Sequence, residues 1–327
     1  MPTSVRSYAK INVGLHIGAV REDGFHELRT VYQTIALHDV IRVQAGRGMG
    51  IEIRCKNPKV PDDETNTCWR VTERVLKALK KRAKVTIAIT KNLPVQGGLG
   101  AGSSNGVAAM LALEKELGAE LTPEQRLEIA SAVGSDLPLF VVGGTILGIG
   151  RGEQVFPLTD LESIACVVAT PPIAVSTPKA FADWDEKFSE GSRGSGKKLT
   201  ADSASGTING FSTSVFAWLM GTTAGVPAKS GDRAETPLLD LVRAGIENDF
   251  ERVVFPQYPE LRDVKRVLER EGAKYASLSG SGSSVYGLYA SAEAAEKAAA
   301  KLQAKGIPAE ATRTIGRDEY WREIWIG

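Results

Sequence analysis

Cysteine, histidine and surplus charge are all scarce in this 327-residue chain, and each scarcity removes a class of function. Cys55, Cys68 and Cys166 are odd in number, form no CxxC pair and have no histidine at metal-ligand spacing, which argues against a disulfide framework and a structural zinc site. Lys plus Arg total 40 against 39 Asp plus Glu, a formal charge of +1, so a protein that works by attracting nucleic-acid phosphates is not expected. The segment from Met1 to Gly14 lacks the apolar core of a secretory leader, and no stretch approaches the roughly 20 apolar residues that span a bilayer. A cytoplasmic protein with no membrane partner is expected. No internal repeat is visible, and oligomeric state stays open between monomer and homodimer.

What is present is an ordinary globular composition, 43% hydrophobic and 24% charged, long enough for two domains with a cleft between them. Glycine is the outlier: 34 residues, about a tenth of the chain against a usual share of about 7%, clustered in short stretches. Alternation of Val85, Ile87 and Ile89 predicts a half-buried strand that runs into a glycine-rich turn from Pro94 to Asn105. A helix marked by Val107, Met110, Leu111, Leu113 and Leu117 follows and stops at Gly118. Thr122, Pro123 and Gln125 write the capping box of the next helix, which Gly134 ends before Ser135-Asp136. Between Phe188 and Gly210 the chain is rich in Ser and Gly and nearly devoid of apolar residues, which predicts a mobile loop. Pro259 to Glu271 reads as an amphipathic helix, then come a strand, the turn Ser279 to Ser283, a second strand, and an alanine-rich helix from Ala292 to Lys305. Helices and strands alternate without Rossmann-like regularity, which favours α+β.

The segment Pro94-Val95-Gln96-Gly97-Gly98-Leu99-Gly100-Ala101-Gly102-Ser103-Ser104 has the character of a phosphate cradle, because glycines let backbone N–H groups converge on an anion ahead of a helix N-terminus. It is neither a Walker loop nor a GxGxxG fingerprint. Asp136, followed at once by apolar residues, is either a helix cap or a working base. Lys10 is a cation inside a strand-like apolar run, so it is either an edge residue facing solvent or one that needs a partner, for which Asp136 is a candidate. Asp23-Gly24-Phe25-His26, with Tyr32 beyond it, offers either a hairpin whose aromatics fill a core or a site for a flat ring. The turn Gly280-Ser281-Gly282 is a plain hairpin loop or a second anion site.

Taken together, Lys10 on an N-terminal strand, the Pro94 to Ser104 loop and the Gly280-Ser281-Gly282 turn resemble the small-molecule kinases of the GHMP superfamily. Ala9-Lys10-Ile11-Asn12, Arg21 to Leu28, Asn92-Leu93-Pro94, Gly102-Ser103-Ser104-Asn105 and Gly134-Ser135-Asp136 narrow the resemblance to members that act on a cytidine-diphosphate-linked methylerythritol in non-mevalonate isoprenoid synthesis. The resemblance implies two domains. Residues 1–158 would form an ATP-binding unit like domain 2 of ribosomal protein S5, and residues 159–327 a ferredoxin-like unit carrying the Ser/Gly insertion. It implies ATP and Mg²⁺, and phosphorylation of the substrate's 2-hydroxyl. Carried over residue by residue, Asp136 and Lys10 become catalytic, and Pro94 through Ser104 with Asn66 and Lys91 hold the nucleotide. Ser104 is the candidate metal contact. Asn12, Phe25, His26, Tyr32, Thr177 and Phe181 would receive the substrate, with His26 at the cytosine edge and Phe181 stacked on its ring.

Some positions depart from the pattern: Phe25 stands where Tyr is common, Ala182 where some members carry Lys, and Gln96 and Ala101 where glycines are usual. A GHMP kinase acting on homoserine, mevalonate or a sugar, and a nucleotide sensor without catalysis, are the alternatives. His26 and the aromatics speak against the first, and Lys10 with Asp136 against the second.

Overall fold

The computed structural model describes residues 1–160, 163–189 and 247–327. Strands β1 (Thr3–Val20) and β2 (His26–Gly46) form a long antiparallel hairpin. Its turn closes through Gly24, whose φ of +79° suits glycine, with the Arg21 N–H donating to the Phe25 carbonyl at 2.7 Å. Register shifts at Tyr8/Ala9 and Asn12/Gly14 bend the hairpin. Next come β3 (Gly50–Cys55), α1 (Thr67–Ala78) and β4 (Lys84–Thr90), a crossover that leaves β3 parallel to β4. Helices α2 (Ala101–Leu117), α3 (Pro123–Val133) and α4 (Leu137–Val142) lead to β5 (Thr145–Gly150) and β6 (Gln154–Pro157).

The second unit holds β7 (Ala165–Ala169), α5 (Thr177–Ser189), α6 (Glu251–Gln257), α7 (Pro259–Arg270), β8 (Tyr275–Leu278), β9 (Val285–Tyr289), α8 (Ala292–Ala304) and β10 (Ala309–Arg313). Its antiparallel sheet runs β10-β7-β9-β8, the ferredoxin-like order that the resemblance implies, and the whole is the α+β fold expected. The chain then returns: α9 (Arg317–Glu323) and β11 (Trp325–Ile326) join the first unit, with β11 on β1 in the order β11-β1-β2-β4-β3. Tyr320 anchors the return, donating from Oη to the Phe140 carbonyl at 2.8 Å. A division into 1–158 and 159–327 therefore leaves the final segment packed on the other side of the cut.

Local signals act as read around α3, where Thr122 and Gln125 make the reciprocal capping box and Pro123 opens the first turn. Helix α2 starts at Ala101, inside the glycine-rich segment, earlier than Val107 suggests. Twelve of its 17 residues are buried, so it is wrapped by the sheet and its neighbours rather than lying on the surface. Helix α5 takes in Phe188, whose ring packs 4.1 Å from that of Trp184; the rest of the Ser/Gly segment lies outside the described residues.

Along β1 the period-2 alternation divides labour. Ala9, Ile11 and Val13 pack against Cys166, Val168, Tyr286 and Leu288 of the second sheet. Lys10 and Asn12 consequently face the cleft between the units, and both line its cavity. Tyr286 Oη donates to the Asn12 carbonyl at 2.8 Å and Tyr275 Oη to that of Val13 at 3.1 Å, so the two sheets are joined directly beneath that cleft.

Candidate active site

The glycine loop is held from both ends. Asp39, fully buried on β2, accepts the Lys91 ammonium at 2.5 Å and the backbone N–H groups of Asn92 and Leu93 at 2.7 and 2.8 Å, pinning the segment that enters the loop. At its centre a Cβ on Gly98 would lie 2.1 Å from the Ser279 carbonyl oxygen, and φ there is +77°, so only glycine fits. The Ser279 hydroxyl donates to the Gly98 carbonyl and the Ser284 N–H to that of Gly97, at 2.9 and 3.0 Å. The turn Ser279 to Ser283 is thus more than a β8–β9 hairpin loop: it interlocks with the glycine loop, and Gly280 lies against Lys10 and Asn12.

Over the loop and the start of α2 lies a cavity of about 420 Å³, lined by Asn66, Lys91, Pro94 to Ser103, Asn105 and Asp136. Asn66 and Lys91 line it with their polar ends engaged elsewhere. Asn66 caps α1, accepting from the Cys68 N–H at 2.8 Å and donating to the Pro61 carbonyl at 2.6 Å. Ser104 does not line it: its buried hydroxyl meets that of Ser7 at 2.8 Å, pointing into the protein. Ser104, expected as a metal contact, therefore stands off this face, where the neighbouring Ser103 lines the cavity. Among the described residues no group of three His, Cys, Asp or Glu side chains is placed to hold a metal ion.

On the other side of Gly98 opens a cavity of about 540 Å³. Asp136 and Gly98 line both cavities. The Lys10 ammonium, 3% exposed, stands 3.6 Å from the Asp136 carboxylate and donates to Asn12 Oδ1 at 2.6 Å, while Tyr32 Oη donates to Asp136 Oδ1 at 3.2 Å. Lys10 is therefore no solvent-facing edge residue. Asp136, though it precedes α4, makes no capping hydrogen bond, and its side chain keeps 35% of its surface open to the cleft. Burial pushes the Lys10 ammonium below its ordinary pKa, with Asp136 pulling the other way. Burial, reinforced by the Asp136 charge, holds the Tyr32 phenol well above its usual range, so Tyr32 remains a donor.

The far end of this cavity carries the aromatics. His26 stacks on Phe181, ring centroids 5.2 Å apart and 7° from parallel, and Phe181 meets Phe250 edge-on at 4.9 Å. His26 Nδ1 lies 3.0 Å from the Gly18 carbonyl and so carries a hydrogen; Nε2 then meets Asp185 at 3.1 Å as an ion pair only while the ring is cationic. Phe25 is not core: 53% of its surface is exposed, with the Arg151 guanidinium 5.0 Å above its ring. Thr177 Oγ1 pairs with Ser281 Oγ at 2.7 Å. The fold thus brings Asn12, Phe25, His26, Tyr32, Thr177 and Phe181 to one cavity with Lys10 and Asp136. Sequence reasoning passed over Arg151 and Asp185, which line it too. Asp185 had a readable signal, standing one helical turn after Phe181. Arg151, alone on a tight turn, had none.

Comparison with known proteins gives this geometry a setting. The model of the GHMP kinases N terminal domain matches residues 66–144, and that of GHMP kinases C terminal matches residues 234–308. A protein named 4-diphosphocytidyl-2-C-methyl-D-erythritol kinase from Solibacter usitatus (strain Ellin6076) is 36% identical over 287 residues, 87% of this chain and 80% of that one. One of the same name from Acaryochloris marina (strain MBIC 11017) is 32% identical over 301 residues, 92% of this chain and 91% of that one. The crystal structure of a 4-(cytidine 5'-diphospho)-2C-methyl-D-erythritol kinase superposes with a TM-score of 0.72 at 28% identity, covering 96% of this chain and 99% of that one.

Proposed function

This chain belongs to the 4-diphosphocytidyl-2-C-methyl-D-erythritol kinase family of the GHMP kinases, and from that premise we propose that it moves the γ-phosphoryl group of ATP to the 2-hydroxyl of that substrate. The observation that carries the reading is the shared wall: Asp136 and Gly98 border both the cavity over the glycine loop and the aromatic-ended cavity. A phosphoryl donor bound on one side and an alcohol on the other would meet at that carboxylate.

The residues divide the work accordingly. Backbone N–H groups from Val95 to Ser103, at the start of α2, suit the donor's phosphates. The attacking hydroxyl loses its proton to Asp136 as the new O–P bond forms and the bond to the ADP oxygen breaks. Lys10 pairs with Asp136 and balances charge gathering on the transferring group. Tyr32 and Asn12 fix both partners, since their hydrogen bonds leave the carboxylate and ammonium one arrangement. At the other end, His26 and Phe181 suit a pyrimidine, by edge and by face. Mg²⁺ belongs to this reading through the phosphates, where it would neutralise oxygen charge; Ser103 and Asp136 are among the side chains on that face that could hold it. The same reading places the enzyme in the cytoplasm, with small molecules rather than nucleic acid as partners. No helix among the described residues is long and apolar enough to cross a membrane.

The test is ADP release with Mg-ATP and, in parallel, 4-diphosphocytidyl-2-C-methyl-D-erythritol, homoserine, mevalonate and galactose. Turnover with the first alone is expected. Turnover with another alone would keep the kinase and refute the cytosine pocket.

A further inference from the structure

The substrate named for this family has a diphosphate between its nucleoside and its polyol, so the cavity must meet two negative charges midway between base and reacting hydroxyl. Phosphate drawn from water into a partly enclosed site needs charged donors. Among the described residues, Lys10 and Arg151 are the Lys and Arg side chains that line the cavity. Lys10 is committed at the reacting end, to Asn12 at 2.6 Å and Asp136 at 3.6 Å.

Arg151 is differently placed. It sits on the tight turn between β5 and β6, where its backbone N–H donates to Glu153 at 2.6 Å and its guanidinium makes a looser ion pair with the same carboxylate, too long for a hydrogen bond. That guanidinium rests 5.0 Å over the exposed ring of Phe25. Its Nε is buried yet has no hydrogen-bond partner, the Glu153 carboxylate being 3.7 Å away. A ring face attracts the charge but satisfies no N–H, so the stacking leaves the donors unspent. A buried donor without an acceptor is costly, and an arriving anion would remove that cost. The planar fork, five donors and no acceptor, matches phosphate oxygens rather than hydroxyls or a base. His26 and Phe181 already furnish the base end of the cavity, and Asp136 the polyol end.

We infer that Arg151 binds the substrate's diphosphate, and that Phe25 holds its guanidinium flat for the purpose, an inference that rests on the kinase reading for the substrate's identity. Arg151 is then a residue of specificity: it separates cytidine-diphosphate-linked substrates from uncharged cytidine derivatives, leaving base recognition to His26 and Phe181.

The experiment compares wild type, Arg151→Met and Arg151→Lys in calorimetric binding of CDP and of cytidine, together with turnover of the full substrate. Arg151→Met is expected to weaken CDP binding and raise the substrate KM by about 10- to 100-fold, the range for hydrogen bonds to charged groups. Cytidine affinity should stay within about twofold and kcat should change far less than KM, with Arg151→Lys recovering part of the loss. Equal losses for CDP and cytidine would overturn the inference, since Arg151 would then act through Phe25 on the base, and so would unchanged CDP binding. A wild type that binds CDP 10-fold or more tighter than its Arg151→Met variant, yet releases no ADP, would refute the kinase reading and leave the role of Arg151 standing.

Discussion

The two cavities that meet at Asp136 are made of different material. The cavity over the glycine loop has one side of continuous chain, Pro94 to Ser103, whose glycines expose backbone to a ligand, with residues around Val60 and Asn66 across from it. The other cavity's wall is side chains gathered from far apart: His26 from β2, Arg151 from a turn, Phe181 and Asp185 from α5, Ser281 from the β8–β9 turn. A backbone site depends on conformations only glycine adopts, so it resists change at a few positions and says little about which alcohol is phosphorylated. A side-chain site can be altered one residue at a time. On the proposed reading, the phosphoryl donor meets mostly backbone and the alcohol mostly side chains.

Substitutions can break or sharpen that contrast. The largest effect is expected at the shared wall: Asp136→Asn should lower kcat by about 10²- to 10⁴-fold while ATP and CDP affinities stay within about threefold, because the base is lost and neither wall is. A loss under tenfold would remove Asp136 from the proton transfer. Next comes Gly98→Ala, which drives a methyl group into the Ser279 carbonyl and strains a left-handed residue, together costing about 2–5 kcal/mol. Since the loop interlocks with the turn beside Lys10, both ATP and CDP affinity should fall with the melting temperature. A variant that loses only ATP binding would mean that the walls are mechanically independent. His26→Ala should act on one side alone, raising the KM for the cytidylyl substrate by about 10-fold or more and that for ATP by less than twofold; equal changes would take His26 out of base recognition.

The smallest effect is a pH dependence. Lys10 has a lowered pKa in the folded protein, so between that value and the ordinary 10.5 the unfolded chain binds the extra proton, and stability rises with pH across this window. Denaturant titrations of wild type and Lys10→Met should show the stability difference shifting in favour of wild type as pH climbs toward 10.5, and a flat difference would contradict the burial argument. Activity should run the opposite way, falling on the alkaline side as Lys10 loses its charge.

Much of this was readable in the chain, for local reasons. The capping box at Thr122, the stop at Gly118 and the glycine loop after β4 depend on neighbours in sequence, and they stand where the pattern puts them. Lys10 and Asp136 could be suspected of pairing because each is a charge in an apolar run, and the fold sets them 3.6 Å apart. Residues whose surroundings are tertiary were harder. Ser104 lies in the same motif as Ser103, yet the helix turns it inward to Ser7. Lys91 lines the cavity over the glycine loop as expected of it, but nothing local reveals Asp39, 52 residues earlier, as its buried partner. Arg151 is a single charge in unremarkable surroundings until the hairpin brings it over Phe25.

The pairing of β11 with β1 has a consequence for how the protein is made. Ser4 and Val5 find their partners at Ile326 and Trp325, so the second unit is inserted within the first rather than appended to it. On a ribosome moving at roughly 5–20 residues per second, the start of β1 waits about 15–60 s for that partner, with one edge of the growing sheet open to other chains. Helix α9 and β11 close that edge late in synthesis, when the second unit has already emerged.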